Sequence, residues 1–234
     1  MHISFNGVIA VYTYNCPYAH KLRNIEHCYL ERVESTEEAD GTTSKRAFGI
    51  EQHELVSQYI KKEIDSFDYT TDTIEWFREQ EKVQVEVQKF FDLGFSPLDA
   101  KPTSGDYVSA RADALVAIPW DKVVQADWKF GNPEYNAPKY YDETDFFMSL
   151  AISTFPEVGS YKSIIHFPQH DYTLPVRTYT IQQAGRLQDK YLRRVDKILK
   201  DKYFKPSPGK IHCRFCDQRS TEAGGTGKCA HTVL

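Results

Sequence analysis

The chain has 234 residues, 41% of them hydrophobic and 14% aromatic, enough apolar material for one sizeable domain with a real core, which excludes a disordered chain. No run approaches the roughly 18 apolar residues that span a bilayer, and the opening MHISFNGVIAVYTYNC lacks the basic n-region of a signal peptide, so the expectation is a cytoplasmic protein with no membrane partner. A formal net charge of −4 is not that of a protein that coats nucleic acid, and an odd count of 5 cysteines argues against a disulfide framework.

Ile3 to Tyr14 is apolar and β-branched, a strand or the start of an apolar helix, and Cys16-Pro17-Tyr18 breaks it. Ala19 to Arg32 reads as a helix, and Ser35 to Ser44 as a polar loop inside an acidic stretch, 31–92. Ala47 to Ile64 is a helix, with Phe48, Leu55, Val56, Tyr59 and Ile60 at helical spacing. His53 sits at the edge of that apolar stripe, one turn after Gly49, where the missing side chain leaves room for a ligand or a backbone. Taken alone, such a histidine is a packed or half-exposed residue. A second helix follows over Asp72 to Glu81. Lys82 to Phe91 alternates, with Val83, Val85 and Val87 on one face and Gln84, Glu86 and Gln88 on the other, the pattern of a half-buried strand. Gly94 to Asp106 is a connection.

Arg111 to Lys129 reads as two strands joined at Pro119-Trp120-Asp121-Lys122, because proline sets its own φ and cannot continue a ladder. The second strand, Val123 to Phe130, directs Asp127 and Lys129 to one side and Trp128 to the other. Paired as a hairpin, the strands bring Asp113 near Asp127. Two convergent carboxylates bind a hard cation, Mg²⁺ or Mn²⁺, through oxygen. Such an ion polarises a phosphate and activates water, and a nearby lysine orients the water and offsets developing charge. Glu86, on a polar strand face, is placed to assist a second metal. The competing reading is a surface ion pair between Asp127 and Lys129.

Gly131 to Pro138 is a loop, and Asp142 to Phe155 a helix with Phe146, Phe147, Leu150 and Ala151 inward. Tyr161 to Phe167 is a strand, and Asp171 to Tyr179 another. Thr180 to Tyr203 is a long helix whose core stripe is Ile181, Ala184, Tyr191, Leu192, Val195, Ile198 and Leu199. Lys190, Arg193, Arg194 and Lys197 give this helix a basic face, suited to a DNA backbone or simply to solvent. Strands clustered mid-chain between helices predict an α/β (α+β) domain with one central mixed sheet. In the Gly-, Ser- and Thr-rich tail, Cys213-Arg214-Phe215-Cys216 forms a knuckle. With Cys229, and with Cys16 if the tail folds back, it supplies four thiolates for Zn²⁺ or an iron–sulfur cluster; His212 and His231 are alternative ligands that favour zinc.

Taken in order over nearly the whole chain, these segments resemble the RecB-like branch of the PD-(D/E)xK nucleases. Cys16-Pro17-Tyr18 with Lys21-Leu22-Arg23 is similar to its opening cysteine segment, and Gly49-Ile50-Glu51-Gln52-His53 to its G-x-x-x-H helix. Arg111-Ala112-Asp113-Ala114-Leu115 resembles the segment with the first metal-binding aspartate, Asp127-Trp128-Lys129 its D-x-K, and Pro208 to Cys216 the lead into its C-terminal cysteines. The resemblance implies a restriction-endonuclease-like domain over 1–234, with a cysteine staple from about 13–30 and 205–234. It implies that Cys16, Cys213, Cys216 and Cys229 hold a [4Fe–4S] cluster, as in AddB and the CRISPR-associated exonucleases. It also implies that Asp113, Asp127 and His53 bind Mg²⁺ or Mn²⁺ and that Lys129 completes the catalytic set. The activity implied is a metal-dependent DNA exonuclease at single strands or duplex ends, serving recombination, repair or phage DNA metabolism, with a recombination or helicase protein as partner. The chain departs from the family in the 12 residues between Cys216 and Cys229, where the gap is usually short, and in having no glutamine over Glu143 to Ala151. The alternative is a non-catalytic DNA-binding module, or a zinc-stapled interaction module, on the same fold.

Overall fold

β-Branched and small apolar residues dominate the middle of the chain, and there they build the sheet on which everything else is mounted. The computed structural model describes residues 2–9, 45–133, 137–203 and 229. Its strands are β1 (His2–Ser4), β2 (Val83–Phe91), β3 (Pro97–Leu98), β4 (Tyr107–Ile118), β5 (Lys122–Trp128), β6 (Ser160–Phe167), β7 (Tyr172–Thr173) and β8 (Arg177–Thr180). Its α-helices are α1 (Lys45–Ile60), α2 (Asp72–Glu79), α3 (Ala137–Thr154) and α4 (Ile181–Lys200). The strands form one sheet in the order β3-β2-β4-β5-β6-β7, with β1 pairing β4 and β8 pairing β6. β2, β4 and β5 run antiparallel, whereas β5 and β6 are parallel from Lys122 opposite Ser160 to Trp128 opposite His166. A parallel pair needs a crossover, and α3 supplies it.

Helices cover both faces, which makes this the mixed α/β fold with a central mixed sheet that the sequence predicts. On one side Val56, Tyr59, Ile60, Ile74 and Phe77 of α1 and α2 pack on Ala114, Val116, Val124, Ala126 and Trp128. On the other, Phe146, Leu150, Tyr191 and Val195 of α3 and α4 pack on Ala110, Ala112, Leu115 and Val123. Adjacent residues such as Val123 and Val124 thus serve opposite layers, as a strand buried on both faces requires.

The helix ends have local causes. α1 stops at Ile60 rather than Ile64 because Lys62 turns left-handed (φ +65°), letting Glu63 N–H reach Gln58 O (2.9 Å) and Lys62 N–H reach Tyr59 O (3.0 Å), a Schellman closure. α3 begins five residues before the expected Asp142, at Ala137, since a proline (Pro138) is tolerated in a first helical turn. α4 starts with a reciprocal capping box between Thr180 and Gln183. Its buried stripe runs only from Ala184 to Ile198; Ile181 and Leu199, expected inside, are exposed where the helix overshoots the packed layer. The strand expected over Asp171 to Tyr179 is two short ones divided at Pro175, which cannot donate to a ladder. β3 interrupts the expected connection from Gly94, and β1 gives way at Phe5 to a π-helical turn, Phe5–Ile9. The helix expected over 19–32, the loop over 35–44 and the 213–216 knuckle lie outside the described residues.

One correction bears on function. Val83, Val85 and Val87 do not share a face: Val83 and Val85 pack in the α1/α2 layer, Val87 and Phe91 in the α3/α4 layer. The break falls at Glu86, whose φ is +54°, and the ladder between β2 and β4 passes from Val85–Ala114 to Val87–Ala112 without pairing it. β4 changes allegiance at the same row, with Ala110 and Ala112 in one layer and Ala114 and Val116 in the other.

Candidate functional site

The residue of β4 at which the layers change is Asp113. Its neighbours in the sheet follow from the register. The β4–β5 pairs end at Ala114–Ala126, so one further step sets Asp113 beside Asp127. On its other edge lies Glu86, which the ladder leaves unpaired but whose carboxylate comes close to that of Asp113. Three adjacent strands therefore contribute one carboxylate each to a row, and directly opposed side chains share a face.

His53 reaches this row from α1, its Nδ1 3.5 Å from Asp113 Oδ2. A nitrogen of His53 and carboxylate oxygens of Glu86 and Asp113 all lie within 4.8 Å of one another. The backbone N–H of Trp128 donates to Asp113 Oδ2 at 2.7 Å, which locks that carboxylate at the end of the hairpin. Arg111 pairs with Glu86. Lys129 follows β5 directly, and its N–H donates to His166 O (2.9 Å). Its ammonium stands 2.9 Å from Asp127 Oδ1, 2.7 Å from Oδ2 and 3.6 Å from Glu143 on α3. Asp127 Oδ2 is shielded from solvent and, close as the ammonium is, accepts no aligned hydrogen bond.

Burial sets the charges. It pushes the Asp113 carboxyl up, against the Lys129 charge and the Trp128 N–H, which favour the carboxylate. Asp127 rises to about 6, chiefly by burial, with Lys129 opposing and Asp113 adding to the rise. His53 falls to about 4 because its burial disfavours the imidazolium. Burial would also lower Lys129, but Asp127, Glu143 and Asp113 together hold it above the usual lysine range. At neutral pH the site thus offers a neutral imidazole and a charged ammonium.

These residues fit a divalent cation. The carboxylates of Asp113 and Asp127 are crowded, shielded and raised, a state that a cation relieves, and Asp127 Oδ2 is a shielded oxygen with no aligned donor. Carboxylate oxygens suit Mg²⁺ and Mn²⁺, and an uncharged imidazole nitrogen suits Mn²⁺.

The predicted site residues are not all brought together. Asp113, Asp127, Lys129 and His53 converge, and Glu86 lies closer to His53 and Asp113 than its expected role at a second metal implies. Of the basic face on α4, Lys190 and Arg194 turn inward to Asp142, at 3.1 and 2.6 Å, while Arg193 and Lys197 are exposed. Of the four staple cysteines, Cys16, Cys213 and Cys216 lie outside the described residues, and Cys229 is half-buried. The space over Gly49 is open. Glu143 is the residue that sequence reasoning passes over; its position one turn before the inward Phe146 and Phe147 is the signal that points to it. Among the described residues no helix is long and apolar enough to cross a membrane.

No protein-family model and no curated protein matches the sequence. Among solved structures the chain is similar to SSO0001, at 11% identity and a TM-score of 0.42 over 100% of this chain and 88% of that one. It is also similar to a protein from Eubacterium rectale provisionally described as an exonuclease, at 11% identity and a TM-score of 0.44 over 88% of this chain and 84% of that one. Similarities this loose transfer no residue role to the present chain.

Proposed function

We propose that the chain is a metal-dependent deoxyribonuclease that hydrolyses phosphodiester bonds at single-stranded DNA or duplex ends. The observation that carries this reading is the row Glu86–Asp113–Asp127, met by a neutral His53 and a charged Lys129. In this reading Asp113, His53 and Glu86 hold Mn²⁺ or Mg²⁺, and Asp127 joins them through Oδ2. When bound, such an ion polarises a phosphate oxygen and lowers the pKa of a coordinated water. Lys129 stays protonated, so its role is that of a donor rather than a base: its ammonium orients the attacking water and offsets charge developing on the phosphate. Asp127 and Glu143 aim that ammonium. The low pKa of His53 keeps its lone pair available across the neutral range, and the Trp128 N–H fixes the direction of Asp113.

End-labelled single- and double-stranded DNA, incubated with Mn²⁺, with Mg²⁺ or with EDTA, tests this beside Lys129→Ala. Degradation that requires both metal and Lys129 is expected, and the fate of the label gives the polarity. DNA left intact by folded, metal-loaded protein would refute the nuclease and leave a binding module.

A further inference from the structure

A cavity of about 570 Å³ opens beside the carboxylate row, between the start of α1 and the loops that follow β5 and β6. Phe48, Phe130, Asn132, Gln169 and His170 are among the residues that line it. Phe130 follows Lys129 in sequence, and its ring meets the ring of His53 edge-on, with centroids 5.3 Å apart. The cavity and the metal-binding side chains are therefore two faces of one wall.

The chemistry of that lining selects the occupant. Among the described residues its lining carries no Lys, Arg, Asp or Glu, so no ion pair to a phosphate is offered there by them. It offers aromatic surface for a flat ring, and amide and imidazole groups for the polar edge of that ring. Its volume falls within the range of about 300–1,000 Å³ typical of small-molecule pockets, enough for a nucleoside. A phosphodiester held at Asp113 and Lys129 places its attached nucleoside within reach of this cavity. A base can leave its neighbours for an aromatic wall only where it is not locked in a duplex.

We propose that the Phe48–Phe130 cavity seats the nucleobase next to the scissile phosphate and thereby selects an unpaired DNA end. This rests on the nuclease reading above and adds the subsite that distinguishes a single strand from a duplex.

The test separates the two. Binding is measured in EDTA, where no cleavage occurs, by anisotropy of a labelled single strand and by fluorescence of 2-aminopurine at its end. Wild-type protein is expected to quench the 2-aminopurine. Phe48→Ala, or an abasic residue at the strand end, should weaken binding by about 5- to 150-fold, the range of one base–aromatic stack. Phe48→Trp should restore it, and the abasic strand gives the same information with no change to the protein. Equal affinity for abasic and normal ends, or 2-aminopurine left unquenched, overturns the proposal even if the protein cleaves DNA. Quenching that Phe48→Ala abolishes supports the cavity even if cleavage fails and the nuclease reading falls with it.

Discussion

Asp142 on α3 is 6% exposed and is the sharpest place to test how the two helices of one layer are held together. Its Oδ1 accepts from Tyr191 Oη (2.6 Å) and Lys190 Nζ (3.1 Å), and its Oδ2 from Arg194 Nη1 (2.6 Å), all on α4. Asp142→Asn keeps the shape, removes the charge and leaves two cations facing an amide. Hydrogen bonds to charged groups contribute about 1.5–3 kcal/mol each. The side chains of Lys190 and Arg194 are 40% and 26% exposed and can turn to water, and the substitution also removes the desolvation penalty of a buried carboxylate. A net loss of about 2–3 kcal/mol follows. In urea, with a slope of roughly 2–3 kcal/mol per molar for a chain of this size, the midpoint should fall by about 1 M. Burial pushes the Asp142 carboxyl up, but the bonds from Tyr191, Arg194 and Lys190 outweigh it and hold its pKa below the usual range. A depressed carboxyl stabilises the fold above its unfolded pKa, and that stability is lost as pH falls through the folded value. The gap between wild type and Asp142→Asn should therefore be full at neutral pH and close on acidification. A loss under about 0.5 kcal/mol, the scatter of an ordinary surface change, or a gap that ignores acid, would refute the reasoning.

Four further outcomes are expected. Glu86→Gly should leave stability within about 1 kcal/mol of wild type, because glycine accepts the positive φ, whereas Glu86→Val should lose about 1–2 kcal/mol more; equal melting of the two variants would remove the strain argued at this row. Mn²⁺ affinity, followed by calorimetry, should drop as pH falls below about 6, where a proton competes for Asp127, and an affinity flat through that value would deny Asp127 a place in the ligand set. Glu143→Gln should slow cleavage by roughly tenfold to a hundredfold through a loosened Lys129 while DNA affinity holds; an unchanged rate would show that Asp127 alone suffices to place the ammonium. Cys213→Ser should abolish bound iron or zinc measured by elemental analysis, with a loss of stability, and a wild-type protein free of both metals would dispose of the cysteine staple.

How much of this was legible follows from sequence distance. Asp113 and Asp127 lie on two strands joined by a short turn, with Lys129 directly after the second, so hairpin pairing brings them together; Lys122, expected in the turn, pairs with Ile118 and carries the register through Ala114–Ala126. His53 is remote in sequence, yet its place at the edge of an amphipathic stripe puts it on the face of α1 that meets the sheet. Of the basic residues of α4, Lys190 and Arg194 read as part of a solvated or DNA-facing stripe, whereas their counter-charge, Asp142, lies 48 and 52 residues away. No periodicity encodes a partner at that separation. Cavity walls such as Phe48 and Phe130, drawn from different elements, were illegible for the same reason.

The interruption at Glu86 is the least legible feature and the one that explains the site. A regular strand would put Val83, Val85 and Val87 on one face, and the residues opposite them on one face too, so a carboxylate row would meet a single helical layer. Because β2 and β4 both change layer at this row, the apolar residues before and after it are drawn to opposite sides of the sheet. The carboxylates are left at the seam, which each layer reaches with one polar side chain. From α1, His53 comes within 3.5 Å of Asp113; from α3, on the other face, Glu143 comes within 3.6 Å of Lys129. A left-handed glutamate in mid-strand costs about 1–2 kcal/mol. The arrangement it permits sets carboxylates from three strands within reach of polar side chains from both faces, the donor set that the proposed divalent cation would use.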